Sequence, residues 1–357
     1  MLKTSRLVSQ FCQMVRISSE SGNESKFAQY ILNQAELRML KNWQDGHGNV
    51  YIEVPGKGDP LMLNTHMDTV SPGVNIRPQI VDGFLKSDGT TVLGADSKAG
   101  IAAMFEVIDM IHENSLSNRP FTITLTRNEE SGIPTAPMIN SNIKECIVAD
   151  RGTPIGEVIY KAPYAQVFQV NIKGKSAYAT TSFQKGHHAI LAACEMIQNL
   201  PIGNYDQFST SNIGLIKGGV MTTTIPEDCW FKGNCYSFNE QSLNYFLDEL
   251  KRVVRAIDKK YKTHSEIEML EYFGGYALEK SDPLVKYAAL AVKNSGITPR
   301  FKVYKAVTNA NNLNQIGIKT VLLSTGVENQ HTVREQIAIK TLEQLTQVVL
   351  NLVKANN

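Results

Sequence analysis

The sequence predicts an α/β protein interrupted by an inserted α+β domain, and three observations carry that prediction. Short apolar runs alternate with amphipathic helical patterns up to about residue 162. From about 164 to 274 the order changes to strand, helix, strand, strand, helix, strand, a β-α-β-β-α-β unit. From about 276 the first rhythm returns. The expected division is a discontinuous domain over residues 1–163 and 275–357 with an inserted domain over 164–274. With 357 residues, 42% of them hydrophobic, the chain is long enough for two domains with a real core.

The N-terminal stretch "MLKTSRLVSQFCQMVRISSESGNESKFAQYIL" breaks its apolar residues with Ser, Gln and Arg at near-helical spacing, which predicts two helices and not a signal peptide. Four runs read as strands, "NVYIEV", "LMLNTH", "FTITLT" and "ECIVAD", and "AGIAAMFEVIDMIHEN" reads as the clearest helix. In the inserted region "AQVFQVNIKG", "TSNIGLIKGG", "TIPEDCWFKGNCYSF" and "SEIEMLEYF" are strand-like, while "GHHAILAACEMIQNL" and "NEQSLNYFLDELKRVVRAIDKKY" are helical. The last third adds "DPLVKYAALAVKNSG", "KTVLLST" and the final helix "TLEQLTQVVLNLVKAN".

A formal net charge of +2, with Lys and Arg spread along the chain, gives no reason to expect nucleic acid or an anionic membrane as partner. No stretch approaches 18 apolar residues, so no membrane span is expected. Five scattered cysteines without a C-x-x-C pair support neither a disulfide framework nor a thiolate zinc site. A cytoplasmic enzyme acting on a small molecule or peptide fits this profile.

The run Leu61, Met62, Leu63 leads out to His66 and Asp68, and ligands of open α/β sheets bind beyond the carboxyl ends of strands. His-x-Asp there pairs a candidate ligand with its orienting partner. Other strand-like segments finish in the same way: Asp96 stands just before a helix, "FTITLTRNEE" ends in Glu129 and Glu130, "ECIVAD" ends in Asp150, and His331 follows the last strand. Taken singly these residues have plain roles, as a helix N-cap, a solvated turn or loop filler. Five such ends in one sheet point to a common site. Zinc takes imidazole nitrogen and carboxylate oxygen, and a pair of ions ~3.5–4 Å apart needs one bridging carboxylate. Adjacent Glu129 and Glu130, if extended, point opposite ways, so one can bind metal while the other reaches a water. A glycosidase, whose carboxylates face each other across ~5–9 Å, fits less well.

With these motifs the sequence resembles the dinuclear zinc aminopeptidases, carboxypeptidases and deacylases that include peptidase T and acetylornithine deacetylase, and most closely the peptidase T branch. The resemblance covers essentially the whole chain. It implies a mixed-sheet zinc-peptidase catalytic domain with an inserted lid domain that also serves dimerisation. By motif, "THMDTV" gives His66 as ligand of one metal and Asp68 as the carboxylate that orients it, and "GADSKAG" gives Asp96 as the bridge, in a turn often built with a cis peptide after this Asp. "NEESG" gives Glu129 as general base and Glu130 as ligand of the other metal, "VADRG" gives Asp150 beside His66, and "GVENQHTVREQIAI" gives His331 beside Glu130. The implied cofactors are two Zn2+ per subunit, with Co2+ or Mn2+ as alternatives. The implied activity is aminopeptidase cleavage of short peptides. An N-acyl amino acid deacylase and a catalytically silent peptide-binding scaffold are the rival readings.

The inserted domain departs from the pattern. Family members carry a His in "GKAAHAG" that reaches an active site, commonly the partner subunit's, and stabilises the tetrahedral oxyanion. Here "GKSAYAT" places Tyr178 there, and Thr223, Tyr236 and Asn309 replace the family's Asn, Arg and Asp. A tyrosine hydroxyl can donate a hydrogen bond as a His N–H does, and His187 or His188 are the other candidates for that task.

Overall fold

Two helices open the chain, α1 (Thr4–Arg16) and α2 (Ser25–Glu36), each burying one apolar stripe: Leu7, Phe11, Met14 and Val15 on the first, Phe27, Ala28, Ile31 and Ala35 on the second. The computed structural model describes residues 1–131, 142–152 and 154–355. They divide into one unit of Met1–Lys161, Ala277–Tyr304 and Thr308–Asn357, and another of Ala162–Tyr276 with Lys305–Val307.

In the first unit follow β1 (Lys41–Gln44), β2 (Val50–Val54), β3 (Leu61–His66), the short β4 (Gln79–Val81) and β5 (Phe84–Lys86), then α3 (Ala95–Asn114). Next come β6 (Phe121–Thr126), β7 (Glu145–Arg151) and β8 (Glu157–Ala162). Every residue of β3 is buried, because it pairs in parallel with β6 on one side and β7 on the other. Central parallel strands are covered on both faces, which is why β3 opens on the unbroken apolar run Leu61, Met62, Leu63. Helix α3 is buried almost all round and lies against α1.

The second unit runs β9 (Tyr164–Lys173), α4 (Ala189–Asn199), β10 (Gly203–Asn204), β11 (Ser209–Gly218), β12 (Asp228–Ser237), α5 (Glu240–Tyr261) and β13 (His264–Phe273). Its sheet has the order β10-β11-β12-β9-β13, with the pairs antiparallel. One face packs Phe168, Val170 and Phe231 against Met196 of α4 and Phe246 and Leu250 of α5.

The chain returns with β14 (Tyr276–Ala277), α6 (Pro283–Asn294), β15 (Arg300–Val303), α7 (Asn309–Gln315), β16 (Lys319–Ser324), β17 (Gln336–Ala338) and α8 (Ile339–Val353). The main sheet is nine-stranded, in the order β1-β2-β6-β3-β7-β16-β8-β14 with β15 beside β8. It is mixed: β2 is antiparallel to β6 and β8 to β16, while β6, β3, β7 and β16 run parallel. That parallel block brings the carboxyl ends of four strands to one edge. The five cysteines are free thiols, and no helix among the described residues is long and apolar enough to cross a membrane.

Candidate metal centre

The site is assembled at that edge of the first unit. His66 is the last residue of β3 and is buried, its Nδ1 3.0 Å from the carbonyl oxygen of Asp68 and 3.4 Å from Asp68 Oδ1. Its Nε2 lies 3.0 Å from Asp150 Oδ1, near the end of β7, and 3.5 Å from Asp96 Oδ1. Asp96 opens α3 in non-helical conformation (φ −84°, ψ 100°) after Gly94, whose φ of +70° provides the turn, and the peptide between Asp96 and Ser97 is cis. Its other oxygen, Oδ2, is 3.3 Å from His331 Nε2, which is 3.0 Å from Glu130 Oε2. Two groups of ligand-type atoms result, His66 with Asp96 and Asp150, and Asp96 with Glu130 and His331. They share Asp96. His66 Nε2, Asp96 Oδ1 and Glu130 Oε1 are buried without a directed hydrogen bond among the described residues, although the first two lie in ion-pair contact with each other and Glu130 meets His331 through its other oxygen, Oε2.

Extended backbone at Glu129 and Glu130 is not what the structure has. Strand β6 stops at Thr126, and Asn128 takes a left-handed φ of 58°, so the two glutamates sit in a turn. The turn is pinned by Asp68, whose Oδ1 accepts the Glu129 N–H at 3.1 Å and whose Oδ2 accepts the Glu130 N–H at 3.0 Å. One carboxylate thus touches the His66 ring and both glutamate amides.

The electrostatics follow from crowding. Burial, followed by the Asp150 charge, pushes the Glu129 carboxyl well above the usual range, and burial raises Glu130 and Asp150 as well. Burial also opposes the Asp96 charge, but contacts from His331 and His66 outweigh it and hold the group at about 2. For His66 burial disfavours the proton, yet Asp150 and its neighbours raise the imidazole well above its ordinary value. Hydrogen bonds that the His331 imidazolium donates to Asp96 and Glu130 raise it to about 10. In the metal-free protein the imidazolium groups are the cations of an otherwise acidic cluster.

Tyr178 belongs to the second unit, where the residue is 52% exposed and its backbone forms a bridge with Thr224. His187 pairs by backbone with Lys175, and His188 caps α4, its Nδ1 accepting the Leu191 N–H at 3.2 Å. Asn309 is buried at the start of α7 and donates to Thr126 Oγ1 at 2.6 Å, tying that helix to the end of β6.

Several residues around the centre carry no metal-ligand pattern in the sequence. Buried Glu335 accepts the N–H groups of Gly94 and Asp96, each at 2.8 Å, and burial raises its own carboxyl to about 7. Gln330 donates to Asp96 Oδ2 at 2.6 Å, lying so close to Gly152 that any Cβ there would meet it at 2.1 Å. Ser21 donates to Asp68 Oδ2 at 2.6 Å, and Glu24 accepts the Asn128 N–H at 3.0 Å.

A family model described as peptidase family M20/M25/M40 matches residues 62–355. The chain is 28% identical over 367 residues to the uncharacterized protein YqjE of Bacillus subtilis (strain 168), covering 99% of each. Among solved structures it is similar to a tripeptidase from Staphylococcus aureus subsp. aureus Mu50, with a TM-score of 0.91, 28% identity and coverage of 99% of this chain and 98% of that one. It is also similar to the aminopeptidase PepT from Bacillus cereus ATCC 10987, with a TM-score of 0.87 at the same identity and coverage.

Proposed function

The chain belongs to peptidase family M20/M25/M40 and is a hydrolase of peptide bonds, and from that premise we propose that it is a dinuclear metal-dependent aminopeptidase acting on short peptides, tripeptides foremost. The observation that carries the reading is the pair of ligand groups sharing Asp96. Buried imidazole and carboxylate atoms without directed hydrogen bonds fit a pair of divalent cations, because unpaired buried like charges are costly without them. In this reading His66 and Asp150 would hold one ion, Glu130 and His331 the other, and Asp96 both. Nitrogen and oxygen donors suit Zn2+, with Co2+ or Mn2+ as substitutes. When bound, such a pair polarises the scissile carbonyl and lowers the pKa of water toward neutrality.

The protein's own residues do the rest. Glu129 takes a proton from the attacking water and delivers it to the leaving amine. Asp68 fixes the His66 ring and the turn that carries Glu129. In this reading Tyr178 donates a hydrogen bond from its hydroxyl to the oxyanion and keeps its proton. Leu215, Ile216, Val220 and Met221 of the second unit are exposed, and they support a homodimer formed through that inserted lid domain. The chain works in the cytoplasm on free peptides, with no nucleic acid or membrane partner.

The test is metal analysis together with hydrolysis of dipeptides, tripeptides and acetylated amino acids before and after chelation. Release of the N-terminal residue from tripeptides, lost on chelation and restored by Zn2+, is expected. Cleavage of the acetylated amino acids alone would establish the deacylase, and a protein that takes up no metal and stays inert to every substrate with Zn2+ supplied would establish the scaffold.

A further inference from the structure

We propose that Glu24 is a positioning residue for Glu129, acting through the backbone amide of Asn128; the proposal rests on the peptidase reading above. Glu24 immediately precedes α2 and is 2% exposed. Its Oε1 accepts the N–H groups of Gly22 at 2.8 Å and Asn128 at 3.0 Å, and its Oε2 lies 3.2 Å from Arg127 Nη2. The next two amides, those of Glu129 and Glu130, go to the oxygens of Asp68, which also accepts the Ser21 hydroxyl. Three successive N–H groups therefore each meet a buried carboxylate, and segment 21–24 braces the turn twice, directly through Glu24 and indirectly through Ser21 on Asp68.

The geometry says why this matters. A left-handed residue such as Asn128 reverses the chain, so the orientation of its peptide sets the directions in which the Glu129 and Glu130 side chains leave the turn. Charged acceptors make shorter and stronger hydrogen bonds to backbone N–H groups than neutral ones do. Without an acceptor at Asn128 the turn is held from one side only, and a displacement of ~1 Å at a catalytic group costs on the order of 10² in rate.

Three substitutions separate positioning from plain stability. Glu24→Gln keeps an acceptor oxygen, Glu24→Asp keeps the charge but withdraws the acceptor by one methylene, and Glu24→Met is nearly isosteric with no oxygen. Each is assayed with Zn2+ on a cleaved tripeptide, at a temperature where it is folded, with metal content measured alongside. The Gln variant is expected within about fivefold of wild-type kcat, and the Asp and Met variants to lose about 10² in kcat with KM within about threefold and both metals retained. If the Met variant does not fold, the Asp variant carries the comparison. A kcat per folded, metal-loaded molecule within about twofold of wild type in the Asp variant, or a Gln variant as impaired as it, overturns the proposal. If wild type cleaves no peptide, the peptidase reading fails by itself. The proposal is then judged on the Co2+-substituted protein, whose visible absorption should change in the Asp variant through Glu130; an unchanged spectrum overturns it.

Discussion

Oδ2 of Asp96 and Nε2 of His331 lie 3.3 Å apart, although one residue opens α3 and the other lies in a loop after β16. Because His331 faces only the Asp96 and Glu130 side of the centre, His331→Ala should cost one of two metal equivalents and leave the one beside His66 and Asp150. Metal content after gel filtration decides the matter. Loss of both equivalents, or of neither, would mean that the two groups of ligands do not act as separate sites.

Glu129→Gln should behave differently. It keeps the size of the side chain, removes the base, and is expected to retain both metals while lowering turnover by about 10² to 10⁴. Single-turnover rates beside metal content check this, and metal loss as large as in His331→Ala would exchange the roles of Glu129 and Glu130.

Metal uptake should be coupled to proton release. His66 lies well above its ordinary pKa and His331 at about 10, so at neutral pH both are protonated in the metal-free protein and must lose those protons to become ligands. Apparent affinity should therefore rise with pH below about 10, by about tenfold per unit for each proton displaced, and fail in acid. Calorimetric titration of Zn2+ in buffers of different ionisation enthalpy measures the release; heats independent of buffer would refute it.

Tyr178→Phe tests the departure in the inserted domain. An oxyanion donor is worth ~2.7–4 kcal/mol in the transition state, so loss of the hydroxyl should lower turnover by ~10² or more with both metals bound. A change within about twofold would assign the tyrosine to the surface and send the same test to His187 and His188.

The strands that carry the centre are legible because β3 and β7 hold the short apolar runs Leu61–Leu63 and Cys146–Ala149, β6 sets Phe121, Ile123 and Leu125 between threonines, and the chemistry stands at their ends. The small sheet of β17, β5 and β4 is not, since three-residue strands carry no period to read. The turn at Glu129 departs from the extended expectation because Asn128, a residue type that tolerates left-handed backbone, breaks the chain with no glycine or proline to mark it. Glu24 and Glu335 escaped for a different reason. They act by accepting backbone N–H groups, and that role has no residue spacing of its own.

The bridging arrangement around Asp96 draws on residues from His66 to His331, which spans most of the polypeptide. During synthesis the ribosome releases the His66 side long before it releases His331. A nascent chain or a prematurely terminated fragment would present the acidic groups of the first strands without their last imidazole. On the proposed two-ion reading, hydrolytic competence would arrive only with the final stretch of translation, and a fragment ending before His331 would lack a ligand of the second ion.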